Sequence, residues 1–289
     1  MTTTEPALSL AAVVTALEGS YPPDAAMDWD RVGLVSGDLG QPVRLVHFAV
    51  DPTLAVVDEA ITAGADLLVT HHPLLLRGIH SAATTTAKGE TLTRAIIGDL
   101  AIYCAHTNAD LAMPGVSDAL AQACGLTSVT ALGPDLSEPG RVGDLATPLK
   151  LRDFAERLVA VLPATAGGIR VSGDPEATVT RVAVSGGSGD DRFDAVREAR
   201  ADVYVTADLR HHPVLEEREQ SRGGPPYLVD AGHWASEWVW LAAAERALLG
   251  SLGGASGDGT STRLSTHIST LRTDPWTFVL GANAAGGTS

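Results

Sequence analysis

The feature that most constrains this chain is an alternation of short β-branched runs with amphipathic stretches of helical length. Val43–Val50 reads as a strand ending at Asp51-Pro52, Leu54–Ala63 as a helix closed by Gly64, and Asp66–Thr70 as a short buried strand. Glu90–Gly98 then reads as a helix and Leu100–Cys104 as another strand, while upstream Leu8–Leu17 reads as a helix stopped by Gly19 and Pro22-Pro23. Strand–helix–strand alternation predicts an α/β fold with a largely parallel sheet, because consecutive parallel strands need a crossover helix between them.

The second half repeats the theme. Thr178–Ser185 reads as a strand running into Gly186-Gly-Ser-Gly189, Phe193–Arg200 as a helix and Asp202–Thr206 as a strand. Ala65-Asp-Leu-Leu-Val-Thr70 resembles Ala201-Asp-Val-Tyr-Val-Thr206, and a His-His-Pro follows each, as His71-His72-Pro73 and His211-His212-Pro213. The echo points to a duplicated strand–helix–strand unit. Gly, Pro and Ser cluster at Gly133–Gly140 and again near Ser221–Pro226. These clusters suggest a discontinuous first domain, 1–126 with 226–289, and an inserted second domain, 127–225. Gly250–Gly259 reads as a flexible loop, Arg263–Leu271 as a late strand and Gly281–Ser289 as a disordered tail.

Composition narrows the function classes. Of 289 residues, 45% are apolar and 19% charged, enough to bury a sizeable core. The net charge of −15 disfavours nucleic acid and anionic membrane as partners, since both are themselves negative. No run approaches the ~18 apolar residues of a membrane span, and Met1-Thr-Thr-Thr-Glu-Pro6 lacks a signal peptide's basic region. Cys104 and Cys124 are the only cysteines, too few for a disulfide framework, and read as buried free thiols. A reducing, cytoplasmic location is the expectation.

Three segments carry chemistry. His71-His72 directly follows an apolar strand, at the carboxyl edge where open α/β sheets bind ligands. Ala105-His-Thr-Asn-Ala-Asp110 also follows a strand, and in extended backbone His106, Asn108 and Asp110 face one way. The alternative there is a turn in which Asn108 and Asp110 satisfy local backbone groups. Asp230-Ala-Gly-His-Trp-Ala-Ser-Glu237 follows the strand Tyr227–Asp230 and opens a helix, Trp234–Leu249, with His233 and Glu237 one turn apart. Together His71, His72, Asp110, His233 and Glu237 offer three imidazoles and two carboxylates. That is too many for one tetrahedral zinc and suits a pair of ions ~3.5–4 Å apart. Divalent Zn, Fe, Mn, Ni or Co all accept such donors. Gly186–Gly189 reads as a strand-to-helix turn before a phosphate cradle, since no Gly-Lys-Ser/Thr follows. His47 and His80 have no partner pattern and read as structural. Trp234, Trp238 and Trp240 read as core or subunit packing.

These motifs, in this order, resemble the NGG-one interacting factor three-like family, the YbgI-type dinuclear metal-centre proteins also labelled GTP cyclohydrolase I type two homologues. Trp29-Asp-Arg-Val-Gly-Leu34, Thr70-His-His-Pro-Leu74, His106-Thr-Asn-Ala-Asp110, Thr206-Ala-Asp208 with His212, and Gly232-His-Trp-Ala-Ser-Glu237 carry the likeness. Arg31, Ala109, Ala207 and Trp234 are departures from it. The resemblance implies two α/β domains with mixed, largely parallel sheets and a metal site in the cleft between them. It implies metal ligands at His71, His72, Asp110, His233 and Glu237, with His106, Asp208 and His212 lining the site as catalytic or ligand-orienting groups. It also implies a toroidal homohexamer. Two functions then compete: metal-dependent hydrolysis of a nucleotide-like or phosphorylated small molecule, or a non-catalytic metal-binding ring serving as chaperone, sensor or assembly platform.

Overall fold

A computed structural model describes residues 7–134, 138–253 and 264–281. In chain order the elements are β1 (Leu8–Ser9), α1 (Leu10–Ser20), β2 (Gly33–Ser36), β3 (Pro42–Val43), β4 (Leu45–Ala49), α2 (Leu54–Thr62), β5 (Leu67–Thr70), α3 (Ala87–Ile97), β6 (Ala101–Cys104), α4 (Thr107–Leu111) and α5 (Val116–Ala123). There follow β7 (Leu126–Ala131), β8 (Arg141–Lys150), α6 (Leu151–Val161), β9 (Arg170–Ser172), β10 (Thr178–Ser188), α7 (Phe193–Glu198), β11 (Val203–Ala207), α8 (His211–Gln220), β12 (Tyr227–Asp230), α9 (His233–Trp238), α10 (Leu241–Gly253) and β13 (Ser265–Ile268). Packing divides the chain into two compact units. One comprises Met1–Ala119, Pro134–Gly140 and Glu237–Leu271; the other comprises Leu120–Gly133, Arg141–Ser236 and Arg272–Ser289.

The first unit holds a five-stranded sheet in the order β13-β4-β5-β6-β2. Its first four strands run parallel and β2 is antiparallel at the edge. All four residues of β5 are buried, as expected where both faces of a parallel sheet are covered. Helix α2 begins at Thr53, whose hydroxyl accepts from Val56 N at 3.3 Å, and its apolar face seats Val56, Val57 and Ala60 against Leu68 and Ile102. It ends where Gly64 takes φ +74, a conformation that costs glycine nothing.

The second unit holds a six-stranded sheet in the order β7-β8-β10-β11-β12-β9. Only β10, β11 and β12 are mutually parallel; β8, β7 and β9 pair antiparallel around them. Ala183, Tyr204 and Leu228, one from each parallel strand, pack with Phe193 and Val196 of α7. The internal echo is therefore a repeated topology: β4-α2-β5-α3-β6 in one sheet and β10-α7-β11-α8-β12 in the other.

Several elements differ from the sequence reading. The run Val43–Val50 is cut into β3, which pairs with β1, and β4, which enters the main sheet. Helix α1 starts at Leu10 and passes through Gly19 to Ser20. The helix expected over Trp234–Leu249 is two, α9 and α10. β10 continues through Gly186 and Gly187 to Ser188. Of the flexible loop expected over Gly250–Gly259, Gly250–Gly253 belong to α10 and the rest lies outside the described residues, as does all but Gly281 of the expected tail. The late strand is there as β13, Ser265–Ile268. Among the described residues no helix is long and apolar enough to cross a membrane.

Candidate metal centre

Three chain segments meet at the carboxyl edge of the first unit's sheet. The ladder of β4 and β5 continues past its last strand residues: His71 N donates to Ala49 O at 3.2 Å and His72 N to Val50 O at 2.8 Å. These bonds pin the His71-His72 backbone as it leaves the strand. Both rings thereby turn toward one another, with centroids 5.1 Å apart. The His106 ring joins them at 5.1 Å from His71 and 5.4 Å from His72. One nitrogen of each ring lies within 4.8 Å of the others.

Each imidazole is oriented from behind. His71 Nδ1 lies 3.0 Å from Ala105 O; a carbonyl only accepts, so Nδ1 carries the proton. His72 Nδ1 lies 2.7 Å from Asp51 Oδ1, and His106 Nδ1 lies 2.9 Å from Asp30 Oδ1. Asp30 also accepts from Thr107 N at 3.0 Å and Thr107 Oγ1 at 2.6 Å. Burial raises the Asp30 carboxyl, but these hydrogen bonds outweigh it and hold the group well below the usual carboxylate range.

With Nδ1–H committed, the Nε2 lone pairs of neutral His71 and His72 face carboxylates. His71 Nε2 is 3.4 Å from Glu237 Oε1 and 3.6 Å from Asp110 Oδ1, and His72 Nε2 is 3.1 Å from Glu237 Oε2. His71 is fully buried, and among the described residues its Nε2 has no hydrogen-bond partner. A lone pair opposite a carboxylate is repulsive unless a positive charge sits between them. In the metal-free chain a proton supplies it. Burial opposes that proton, but Glu237 and Asp51 push His72 up to about 10, and Glu237 and Asp110 likewise raise His71. Burial, with Glu237 adding to it, raises Asp110 in turn, against the pull of His71. The donor set fits a divalent cation, which would replace the bridging protons.

Of the sequence-selected residues, His71, His72, His106, Asp110 and Glu237 come together in the first unit. His233 stands on α9 one turn before Glu237, on the same helical face. Its Nδ1 lies 2.8 Å from Asp208 Oδ2. Asp208 follows β11 with φ +53 and is exposed. His212 lies in the first turn of α8, its ring 5.2 Å from that of His211, and both are exposed.

Residues 107–111 are helical, which corrects the extended row expected of His106, Asn108 and Asp110. Asn108 is turned away and donates to Tyr21 O at 2.8 Å, while helix geometry brings Asp110 to His71. Asp30 and Asp51, which orient His106 and His72, carried no assigned role in the sequence reading. Asp51 had a usable signal: it lies two residues past the end of β4, on the same sheet edge as His71-His72.

The Gly186–Gly189 segment is held by hydrogen bonds to neighbouring side chains. Gly187 N donates to Ser236 Oγ at 2.9 Å, and Gly187 O and Gly189 O accept from Thr206 Oγ1 and Tyr204 OH, each at 3.0 Å. A side chain at Gly189 would sit 2.3 Å from Tyr204 OH, so glycine is required for this close approach. Trp234 and Trp240 are buried, in agreement with the packing role, and Trp240 Nε1 donates to Tyr21 OH at 3.2 Å.

Residues 8–258 match the family model described as Duf34/NIF3 (NGG1p interacting factor 3). The chain belongs to the Duf34/NIF3 family. This Duf34/NIF3 chain is 52% identical over 278 residues to a Streptomyces coelicolor protein named GTP cyclohydrolase 1 type 2 homolog, covering 93% of each. A Mycobacterium bovis protein of the same name is 34% identical, over 92% of this chain and 96% of its own length. The fold is likewise that of a NIF3-related protein of Bacillus cereus, with a TM-score of 0.84 at 26% identity, covering 94% of this chain and 99% of that one.

Proposed function

We propose that this chain is a metal-dependent hydrolase that holds two divalent ions at His71, His72, Asp110, His233 and Glu237. One observation carries the reading: the His71 and His72 Nε2 lone pairs converge on the carboxylates of Glu237 and Asp110 at 3.1–3.6 Å, with both Nδ1 atoms fixed by Ala105 and Asp51. His233 joins the set through its place on α9, and Asp208 acts as its positioning residue. When bound, a pair of such ions supplies an acidified water and positive charge against a developing oxyanion. His106, held by Asp30, is the group placed to move a proton beside the two ligand histidines. His212 is a second proton-handling candidate. The relatives' name, GTP cyclohydrolase 1 type 2 homolog, supports a nucleotide-like or phosphorylated small molecule as substrate. The same reading includes a cytoplasmic homohexameric ring, which sedimentation of the purified protein tests.

Elemental analysis of freshly purified protein, followed by a metabolite-depletion screen on the metal-replete form, tests the function. About two ions are expected at this site, lost on Asp110→Ala or Glu237→Ala, together with depletion of a phosphorylated metabolite by the wild type. Unchanged metal in both variants overturns the site. Full metal loading without depletion of any metabolite overturns the hydrolase and favours the carrier or sensor.

A further inference from the structure

A second cluster of metal-ligating side chains lies in the first unit, on three elements that the first cluster does not use. His47 of β4 and His267 of β13 are register partners in neighbouring parallel strands, so their side chains leave the same face of the sheet. Their rings lie 4.8 Å apart and tilted by 33°. Glu59 comes from α2, and its Oε2 lies 3.1 Å from His47 Nε2. A ligand atom from each of the three lies within 4.8 Å of the others.

We propose that His47, Glu59 and His267 form a separate site for a single divalent transition-metal ion of the zinc class. Ligand atoms on a tetrahedral zinc stand about 3.3 Å apart, given bonds of ~2.0–2.1 Å. His47 and Glu59 already meet that spacing, and His267, at the exposed edge strand, has room to close the remainder by side-chain rotation. The His47 ring is fully buried, and among the described residues its Nδ1 has no hydrogen-bond partner. In the neutral ring Nε2–H donates to Glu59 Oε2, so a cation at Nε2 would replace that proton, as metal binding does at such donors. Ser269 Oγ donates to Glu59 Oε2 at 2.5 Å and is the positioning residue for that carboxylate. Exposed His267 leaves a coordination position open to water or to a donor from another molecule.

A metal here would tie the edge strand β13 to β4 and α2. It would act as a clip between the end of the chain and its first third, independent of the hydrolase reading.

The test uses the full chain, stripped with chelator and dialysed against Zn2+, with bound zinc counted and melting temperature followed. His267→Ala and Glu59→Gln should each bind about one zinc fewer than wild type and lose part of the zinc-dependent rise in melting temperature. Asp110→Ala should lose zinc while keeping the increment that His267→Ala removes. Because His267 is exposed, His267→Asn is expected to fold normally and should show the same loss. Equal zinc in wild type, His267→Ala and His267→Asn overturns the clip. If Asp110→Ala alone leaves bound zinc unchanged, the hydrolase site fails and the clip stands.

Discussion

The two strand–helix–strand units share a topology and a His-His-Pro, yet put it to different use. After β5 the histidines follow the strand at once. Ladder hydrogen bonds to Ala49 and Val50 still hold their backbone, and Ala105 and Asp51 orient their rings. After β11 the chain turns through Asp208, and His211-His212 fall in the exposed first turn of α8. The same tripeptide is thus held rigid in one copy and solvated in the other. Distance from the strand's last ladder bond decides whether a side chain is preorganised, because only there do backbone position and ring tautomer both become fixed.

The contrast can be broken at its strongest point first. Glu237→Ala removes the carboxylate facing both His71 and His72 and should weaken metal binding by ~100-fold or more, judged against the smaller effects of ligand-orienting residues. Equilibrium dialysis reads it, with far-UV circular dichroism confirming the fold. Metal affinity equal to wild type would place the ions elsewhere. Next comes the support behind the ligands: Asp51→Asn keeps the size of the side chain but weakens its hold on His72 Nδ1–H, and should cost ~10–100-fold in affinity. His212→Ala should sharpen the difference between the copies. It removes an exposed side chain and should shift unfolding in urea by within about 0.5 kcal/mol, with bound metal unchanged. A large loss of metal in this variant would erase the distinction drawn between the two copies. The smallest effect concerns the thiols. Cys104 and Cys124 are both buried, and burial pushes Cys124 up to about 12 and Cys104 well above the ordinary thiol value. Iodoacetamide at mildly alkaline pH should therefore label neither until denaturant is added, and mass spectrometry checks this.

The parallel strands and their histidines were legible in the sequence because fully buried strands are near-continuous apolar runs with abrupt polar ends. Leu67–Thr70 and Ala101–Cys104 are of that kind. β7 was not legible: its burial pattern is almost wholly exposed, so no apolar alternation marks it. Helix α4 was hidden for another reason. It is too short to show a helical period, and residues spaced by two at a strand end look like more strand. The split between α9 and α10 was masked by the run Trp238–Ala244, which is apolar throughout and spans the break. Of the centre, the candidate metal ligands announced themselves as polar groups at strand ends, whereas Asp30 acts from a distant, irregular segment that carries no periodic signal. The positions that bring His106 and Asp30 together are set by tertiary packing alone.

The pairing of β13 with β4 has a consequence for how the molecule is made. The five-stranded sheet borrows its outer member from Ser265–Ile268, after the whole of the six-stranded sheet has been spelled out between Leu126 and Asp230. On the ribosome the six-stranded sheet can form first. The five-stranded sheet must wait, its hydrogen-bonding edge along β4 open, until Ser265–Ile268 has been made. Nascent chains halted just before Ser265 should carry that unprotected edge, and chaperone binding or aggregation should peak at that length.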